Sequence, residues 1–485
     1  MVSLVSHAFP ARHSAFAFGF NNRHNEALNI CFAGCSPRQV MLSVMSYHPH
    51  PDIAQRFAEL HPPLEPQAAL VEAHRCLFCF DAPCSDACPT HIDVPRFIKK
   101  IATGNLRGSA LGILDANILG ASCSRVCPVD VLCEGACVLH RYNKQPIEIG
   151  RLQRHAMDYF YSNGAKLAFL PAPEKAQRIA CIGAGPASLA CAAELRKRGY
   201  AVTIFESRAL PGGLNTYGVA EYKLRPSDSL REVDLIASLG VEFRFGVSVG
   251  ADITVEELER TYAAVFLAVG LGPAEPLGLP GEEMSHVVDA LRFIADYKTA
   301  QTISVGRKVA VIGGGNTAID AANAALRLGA DEVYMVYRRS EREMPAFQFE
   351  YENAKLEGVR FRFQTQPVAI RPDGLECLRV ELGAPDQSGR LKPEPVPGSN
   401  FLIECDMMIL AVGQSRFLDF LSACRGVELR DGNVVVDPET GQTSNPRYYA
   451  GGDCVNGGRE VVDAVAEGKR AGIAMSSWLD VPNAT

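Results

Sequence analysis

Ile179-Ala-Cys181-Ile-Gly183-Ala-Gly185-Pro-Ala-Ser188 sets the architecture of the chain's larger part. Apolar residues run into a spaced glycine pair, and an alanine-rich segment follows. The pattern predicts strand Arg178–Ile182, a tight turn, and a helix over 186–198. Gly183 permits the turn, and Gly185 lets a pyrophosphate approach backbone N–H groups at the helix N-terminus, beside Pro186 and Ala187. Ser188 stands where Gly or Ala is usual, and it is small enough for close helix–strand packing. A second strand is expected over 201–205, with Glu206 at its end, where a carboxylate can bind ribose hydroxyls. Strand, turn, helix and acid together make a dinucleotide-binding signal.

The same unit recurs downstream. Val309-Ala-Val-Ile-Gly313-Gly314-Gly315-Asn316-Thr317-Ala318 again predicts strand to helix, with a following strand over 332–337. That strand ends in Tyr337-Arg338-Arg339 instead of an acid. A cation there can meet a 2′-phosphate, or the arginines can grip the pyrophosphate or lie on a solvated edge, so NADH and NADPH both stay open. Short apolar strands ending in glycine are expected at 264–270 and 407–413. Leu210-Pro-Gly212-Gly213-Leu214 is a flexible turn just past Glu206. Ala450-Gly451-Gly452-Asp453 precedes an apolar helix over 461–478, so Asp453 can bind a ribityl chain and the helix N-terminus can stabilise negative charge on a reduced flavin.

Upstream, 8 of the 16 cysteines fall between Cys76 and Cys137. They form Cys76-x2-Cys79-x4-Cys84-x3-Cys88-Pro89 and Cys123-x3-Cys127-Pro128-x4-Cys133-x3-Cys137. Thiolates this closely spaced suit iron–sulfur clusters or zinc. Eight thiols and two Cys-Pro pairs favour clusters, with two structural zincs as the alternative. Short helices are expected around these loops at Pro66–His74, 94–103, 105–115 and 149–161. Cys31 and Cys35 are read as incidental.

Taken in order, these motifs resemble the small subunit of glutamate synthase and the N-terminal half of dihydropyrimidine dehydrogenase, from about Glu65 to Trp478. Three features favour the second. The five residues between Cys127 and Cys133 match its spacing, Arg75-Cys76-Leu-Phe-Cys79-Phe-Asp81-Ala-Pro-Cys84 follows its wording, and Gln153 stands where it uses a glutamine as cluster ligand. The resemblance implies one [4Fe-4S] cluster on Cys76, Cys79, Cys84 and Cys137 and another on Cys88, Cys127, Cys133 and Gln153, with Cys123 a bystander. It places Val126, Glu206, Gly213, Leu214, Lys223, Gly452, Asp453, Glu460 and Val461 around FAD. Around the nicotinamide coenzyme it places Gly314 to Thr317, Arg338, Arg339, Arg342, Ala411, Val412 and Gly413. Lys223 departs from the Arg of the animal enzyme.

The expected architecture is an α-helical iron–sulfur domain (51–170) followed by two α/β Rossmann-like nucleotide-binding domains of the adrenodoxin/glutathione reductase kind. The second (291–412) is inserted in the first (171–290 and 413–485), and residues 1–50 form an extension expected to be disordered. Pro171-Ala-Pro173 reads as a linker. The balance of 48 Lys+Arg against 55 Asp+Glu, without a basic block, argues against a nucleic-acid surface, and no apolar run reaches membrane-span length. A cytoplasmic location is expected.

The resemblance implies no acid–base or nucleophilic residue in this chain. It implies the electron-input subunit of a bacterial dihydropyrimidine dehydrogenase, working in a hetero-oligomer with an FMN and iron–sulfur partner that carries the pyrimidine site. Glutamate synthase small subunit is the first alternative, and a non-catalytic electron carrier or scaffold the second.

Overall fold

The computed structural model describes residues 51–167, 172–300, 304–385 and 389–481. The extension expected over 1–50 and part of the expected linker lie outside the described residues. Everything that follows belongs to the compact unit Met45–Thr485.

The first α/β layer is a five-stranded sheet. Strands β1 (Arg178–Ile182), β2 (Ala201–Glu206), β3 (Glu242–Phe245) and β4 (Ala264–Leu267) come early in the chain. The second layer takes β5 (Val287–Asp289), β6 (Lys308–Ile312), β7 (Glu332–Val336) and β8 (Arg360–Arg362). An antiparallel excursion follows: β9 (Thr365–Arg371), β10 (Gly374–Pro385), β11 (Leu391–Pro395) and β12 (Phe401–Glu404). Strand β13 (Met407–Leu410) returns to the second sheet. After the small hairpin β14 (Leu429–Arg430) and β15 (Asn433–Val434), β16 (Tyr448–Ala450) returns to the first.

The strand orders are β16-β4-β1-β2-β3 and β5-β13-β6-β7-β8, all parallel. The second sheet is therefore inserted in sequence between β4 and β16. It begins at β5, upstream of the boundary expected at residue 291. The central strands are buried on both faces, as parallel strands covered by helices must be. The excursion β9–β12 has no periodic signal strong enough to have announced it.

Helix Val461–Leu479 crosses helix Pro186–Lys197 at glycine. A Cβ at Gly468 would lie inside contact distance of the Ala187 carbonyl oxygen, and one at Gly472 would stand 3.0 Å from that of Cys191. Absence of side chains lets the two backbones approach, which sets both helix N-termini at one end of the first sheet.

The helical region 51–167 is not confined to the cysteine loops. Ile53 and Phe57 are fully buried in the core of the second sheet's domain with Tyr297, Ala325 and Val333. Each such apolar side chain contributes about 1.5–3 kcal/mol. Leu60 N–H donates to Tyr222 O at 3.0 Å, and Arg154 pairs with Glu59 at 2.5 Å. The segment 53–61 therefore straps the helical region to both α/β units. Among the described residues no helix is long and apolar enough to cross a membrane.

Candidate functional site: two nucleotide cavities and a thiol domain

The first cavity, about 320 Å³, opens where β1 and β2 end. Gly183, Gly185, Pro186, Ala187, Glu206, Gly213, Leu214, Gly452, Asp453, Glu460 and Val461 all line it. Gly183 has φ +89°, and a Cβ there would stand 2.5 Å from the Ala268 carbonyl oxygen, so only glycine fits the turn. Gly213, at φ +55°, would press a Cβ to 2.8 Å from Gly185 Cα. Glu206 is buried and shaped by its own turn: Oε2 accepts from Ala184 N–H and Oε1 from Arg208 N–H, both at 2.8 Å. Oε1 also accepts from the Ser207 hydroxyl at 3.4 Å, so it is Oε2 that keeps a lone pair for a ribose hydroxyl.

The N-termini of helices Pro186–Lys197 and Val461–Leu479 both face this cavity, offering unpaired N–H groups and positive dipole ends to phosphate or a charged ring. Burial raises the Asp453 carboxyl above its ordinary value. Burial, with Asp463 nearby, pushes Glu460 up to about 7. The residues present therefore fit a flavin dinucleotide. Val126 and Lys223 do not line the cavity. Val126 ends helix Gly120–Val126, and the Lys223 ammonium is taken by Asp320 and Glu350, each at 2.6 Å.

The second cavity, about 570 Å³, repeats the plan around β6 and β13. Gly313, Gly314, Gly315, Thr317, Arg338, Arg339, Ala411, Val412 and Gly413 line it. A Cβ at Gly313 would strike the Ala411 carbonyl oxygen, as one at Gly183 strikes Ala268. Asn316 instead braces a loop, its Oδ1 accepting from Phe347 N–H at 3.0 Å. Arg342 lies in the turn Glu341–Glu343, outside the lining. The two arginines differ. Arg338 is exposed, whereas Arg339 is buried with Nε donating to Leu391 O at 3.0 Å. Sequence reasoning missed Arg390 and Gln366, which the antiparallel excursion brings to this cavity. It also missed Gln414, which lines both cavities.

The thiols fall into two neighbourhoods. Burial and the charges of Cys79 and Cys137 hold the Cys76 thiol up, and burial with Cys76 and Cys137 pushes Cys84 to about 12. Cys127 is raised first by its hydrogen bond with Cys123, then by burial, Cys133 and Cys88. Cys133 is raised by burial, Glu134 and Cys88. Backbone N–H groups at Phe78, Ser85 and Glu134 point at sulfur, which favours thiolate. Buried thiols with N–H donors aimed at them suit metal-bound sulfur.

Gln153 is buried in helix Ile149–Ser162, with Nε2 donating to Gly120 O at 2.8 Å and Oε1 in no hydrogen bond with the described residues. Cys123, on the packed helix Gly120–Val126, is 3% exposed.

Comparison with known proteins agrees with this construction. A profile for pyridine nucleotide-disulphide oxidoreductases matches residues 177–468, and one described as dihydropyrimidine dehydrogenase domain II, 4Fe-4S cluster, matches 53–165. The chain is 38% identical over 442 residues to the NADPH-Fe(3+) oxidoreductase subunit beta of Geobacter sulfurreducens, spanning 84% of this chain and 65% of that one. It is 37% identical over 450 residues to the glutamate synthase [NADPH] small chain of Halomonas elongata, spanning 88% and 94%. Mycobacterium tuberculosis FprA in complex with NADPH shares the fold at TM-score 0.51 and 21% identity, covering 63% of this chain and 86% of that one. FAD, NAD(P)H and a [4Fe-4S] centre are accordingly the redox groups of this fold. The chain belongs to the pyridine nucleotide-disulphide oxidoreductase family, in the group with an N-terminal iron–sulfur domain that includes the glutamate synthase small chains.

Proposed function

We propose that the chain is the electron-input subunit of a multi-subunit oxidoreductase. The observation that carries this is Gln414, which lines both nucleotide cavities and marks where nicotinamide and flavin rings can meet. NAD(P)H in the second cavity and FAD in the first would supply hydride transfer and its division into single electrons, and iron–sulfur clusters held by the thiols would supply single-electron carriage. The protein's own work is placement. Gly183 and Gly313 admit the pyrophosphates, Glu206 orients a ribose, and the helix at Val461 stabilises negative charge on the flavin. Two clusters are proposed, one on Cys76, Cys79, Cys84 and Cys137, the other on Cys88, Cys127, Cys133 and Gln153.

The output enzyme has two readings. Alignment with 94% of a glutamate synthase small chain favours a glutamate synthase partner. The match of residues 53–165 to a dihydropyrimidine dehydrogenase domain, with the uncommitted Gln153 oxygen, favours an FMN-containing partner that reduces uracil or thymine. The chain is to be purified anaerobically with its native partner and NAD(P)H oxidation followed. Oxidation dependent on glutamine plus 2-oxoglutarate selects the first reading, and oxidation dependent on uracil the second. Failure of NAD(P)H to bleach the flavin under any condition refutes the input role itself.

A further inference from the structure

Glu232 is a fully buried carboxylate whose hydrogen bonds all go to one place. Its oxygens accept from Ala121 N–H at 2.7 Å and Ser122 N–H at 3.1 Å, and from the Ser122 hydroxyl. These donors form the first turn of helix Gly120–Val126, whose last turn closes with Cys127 N–H on Cys123 O at 3.1 Å. Glu232 itself sits on helix Pro226–Ala237, part of the first α/β unit. One turn earlier on that helix, Asp228 meets Arg125 of the cysteine-bearing helix at 3.5 Å. The cysteine-bearing helix is thus gripped twice by one face of its neighbour.

The gripping helix is tied in turn to the flavin cavity. Ser229 and Thr216 share a hydrogen bond at 2.9 Å, and the Thr216 hydroxyl donates to Pro211 O at 2.7 Å. A Cβ at Gly212 would strike both Thr216 and Ser229 Oγ atoms, so the loop is seated directly on this pair. Gly213, the next residue, lines the cavity. The connection therefore runs from the cavity wall through the Thr216–Ser229 hydrogen bond, along one turn of helix Pro226–Ala237 to Glu232, and across to the helix that ends just before Cys127.

We propose that Glu232 is a positioning residue for electron transfer: it fixes the second cysteine array at a set distance and orientation from the first nucleotide cavity. The proposal rests on the input role above and deepens it, because it says which side chain couples the flavin site to the thiol domain. A carboxylate suits this task. It accepts from two adjacent N–H groups and a hydroxyl at once, and its charge faces the positive end of the helix it holds. An apolar residue of similar size would fill the space but leave three donors without acceptors.

The test uses the full chain, loaded anaerobically, in three forms: wild type, Glu232→Ala, and the milder Ser122→Ala, which deletes one donor and keeps the carboxylate. Amide exchange is read first, on apo and loaded protein. Glu232→Ala is expected to speed exchange at Ala121 and Ser122 at least tenfold while amides of β1 and β6 stay unchanged. Stopped-flow absorbance then follows flavin bleaching by NADPH, and rapid freeze-quench EPR follows reduced clusters. Flavin bleaching is expected within twofold of wild type in both variants. Cluster reduction is expected to slow at least tenfold in Glu232→Ala and by a smaller factor in Ser122→Ala.

Cluster reduction at the wild-type rate in Glu232→Ala overturns the proposal, as does equal slowing of both steps. If Glu232→Ala does not fold, Ser122→Ala decides alone: selective slowing of cluster reduction supports the proposal, and none refutes it. Absence of flavin bleaching in wild type would instead refute the input role.

Discussion

Lys223 Nζ and Asp320 Oδ1 lie 2.6 Å apart, joining the first α/β unit to the helix Asn316–Leu328 of the second. Glu350 takes the same ammonium from the helix Gln348–Glu357, also at 2.6 Å, and all three side chains are about a tenth exposed or less. Tyr222 OH adds a bond to Asp320 at 3.0 Å. Lys223, which the resemblance places beside FAD, is in the structure part of a clamp between nucleotide units.

Lys223→Ala leaves two buried carboxylates facing each other without a cation. Breaking a buried pair this way costs about 3–5 kcal/mol. Urea unfolding at saturating FAD is expected to show that loss, while FAD affinity of the folded protein changes by less than about threefold, or roughly 0.6 kcal/mol. A large loss of FAD affinity with unchanged unfolding would return Lys223 to the flavin site.

The helix crossing at Gly468 gives a sharper steric prediction. Gly468→Ala sets a methyl against the Ala187 carbonyl, which is backbone and cannot rotate away. Overpacking of this kind costs about 1–3 kcal/mol. Because the crossing also sets both helix N-termini at the first cavity, flavin retention on gel filtration should fall together with the melting temperature. Gly112→Ala is the comparison, since it sits in helix Leu106–Ala116 outside both cavities and its Cβ would meet only the ammonium end of Lys100, at 3.4 Å.

What the sequence made legible follows from the length of each signal. The β1 and β6 units are local: strand, glycine turn and helix sit within about twenty residues, and the turn residues dictate backbone geometry. Their cavities could be listed almost residue by residue. What spacing does not supply is long-range. The side chains of Lys223 and Asn316 are claimed by Asp320 and by Phe347 N–H, partners distant in sequence. Arg390 and Gln414 reach the second cavity through an antiparallel excursion and a strand-end loop with no fingerprint of their own. Ile53 and Phe57 read as part of the helical region and pack elsewhere, because apolarity says that a residue is buried but not against what.

The two arginines after β7 should separate experimentally. Arg338 is exposed at the cavity, free to meet a 2′-phosphate, while Arg339 is buried and holds Leu391 O. A charge-assisted hydrogen bond contributes about 1.5–3 kcal/mol, or roughly ten- to a hundredfold in affinity. Arg338→Ala is expected to raise KM for NADPH by about that factor and leave KM for NADH within twofold. Arg339→Ala should lower stability and affect both coenzymes alike. Equal KM changes for both coenzymes in Arg338→Ala would mean that the residue serves the pyrophosphate.

Glu232 also gives a pH signature. Burial raises its folded-state pKa from 4.5 to about 7, against hydrogen bonds from Ala121 and Ser122 that pull it down. Between those values the folded chain keeps a proton that the unfolded chain releases, so this group's contribution to stability falls as pH rises through that window and levels off above about 7. The total is on the order of 3 kcal/mol. Urea unfolding of wild type and Glu232→Gln at pH 5, 6, 7 and 8 isolates it. The difference in stability between them should change across that range, and a constant difference would mean that Glu232 is charged throughout.

Gln153 and Cys123 compete for the eighth ligand position, and substitution separates them. Gln153 Nε2 is anchored on Gly120 O, which fixes the amide plane and leaves Oε1 as the uncommitted atom. Cys123, in the helix that ends just before Cys127, is the sulfur candidate. If the amide oxygen is the ligand, Gln153→Glu keeps an oxygen donor but adds a negative charge. Cluster iron should stay near wild type while the reduction potential of one cluster moves negative, since added charge disfavours the electron. Cys123→Ser should then leave iron content and both potentials unchanged. The reverse pattern, with iron lost in Cys123→Ser and potentials unmoved in Gln153→Glu, would assign the position to sulfur. It would also remove one of the three features that favour the dihydropyrimidine dehydrogenase reading over glutamate synthase.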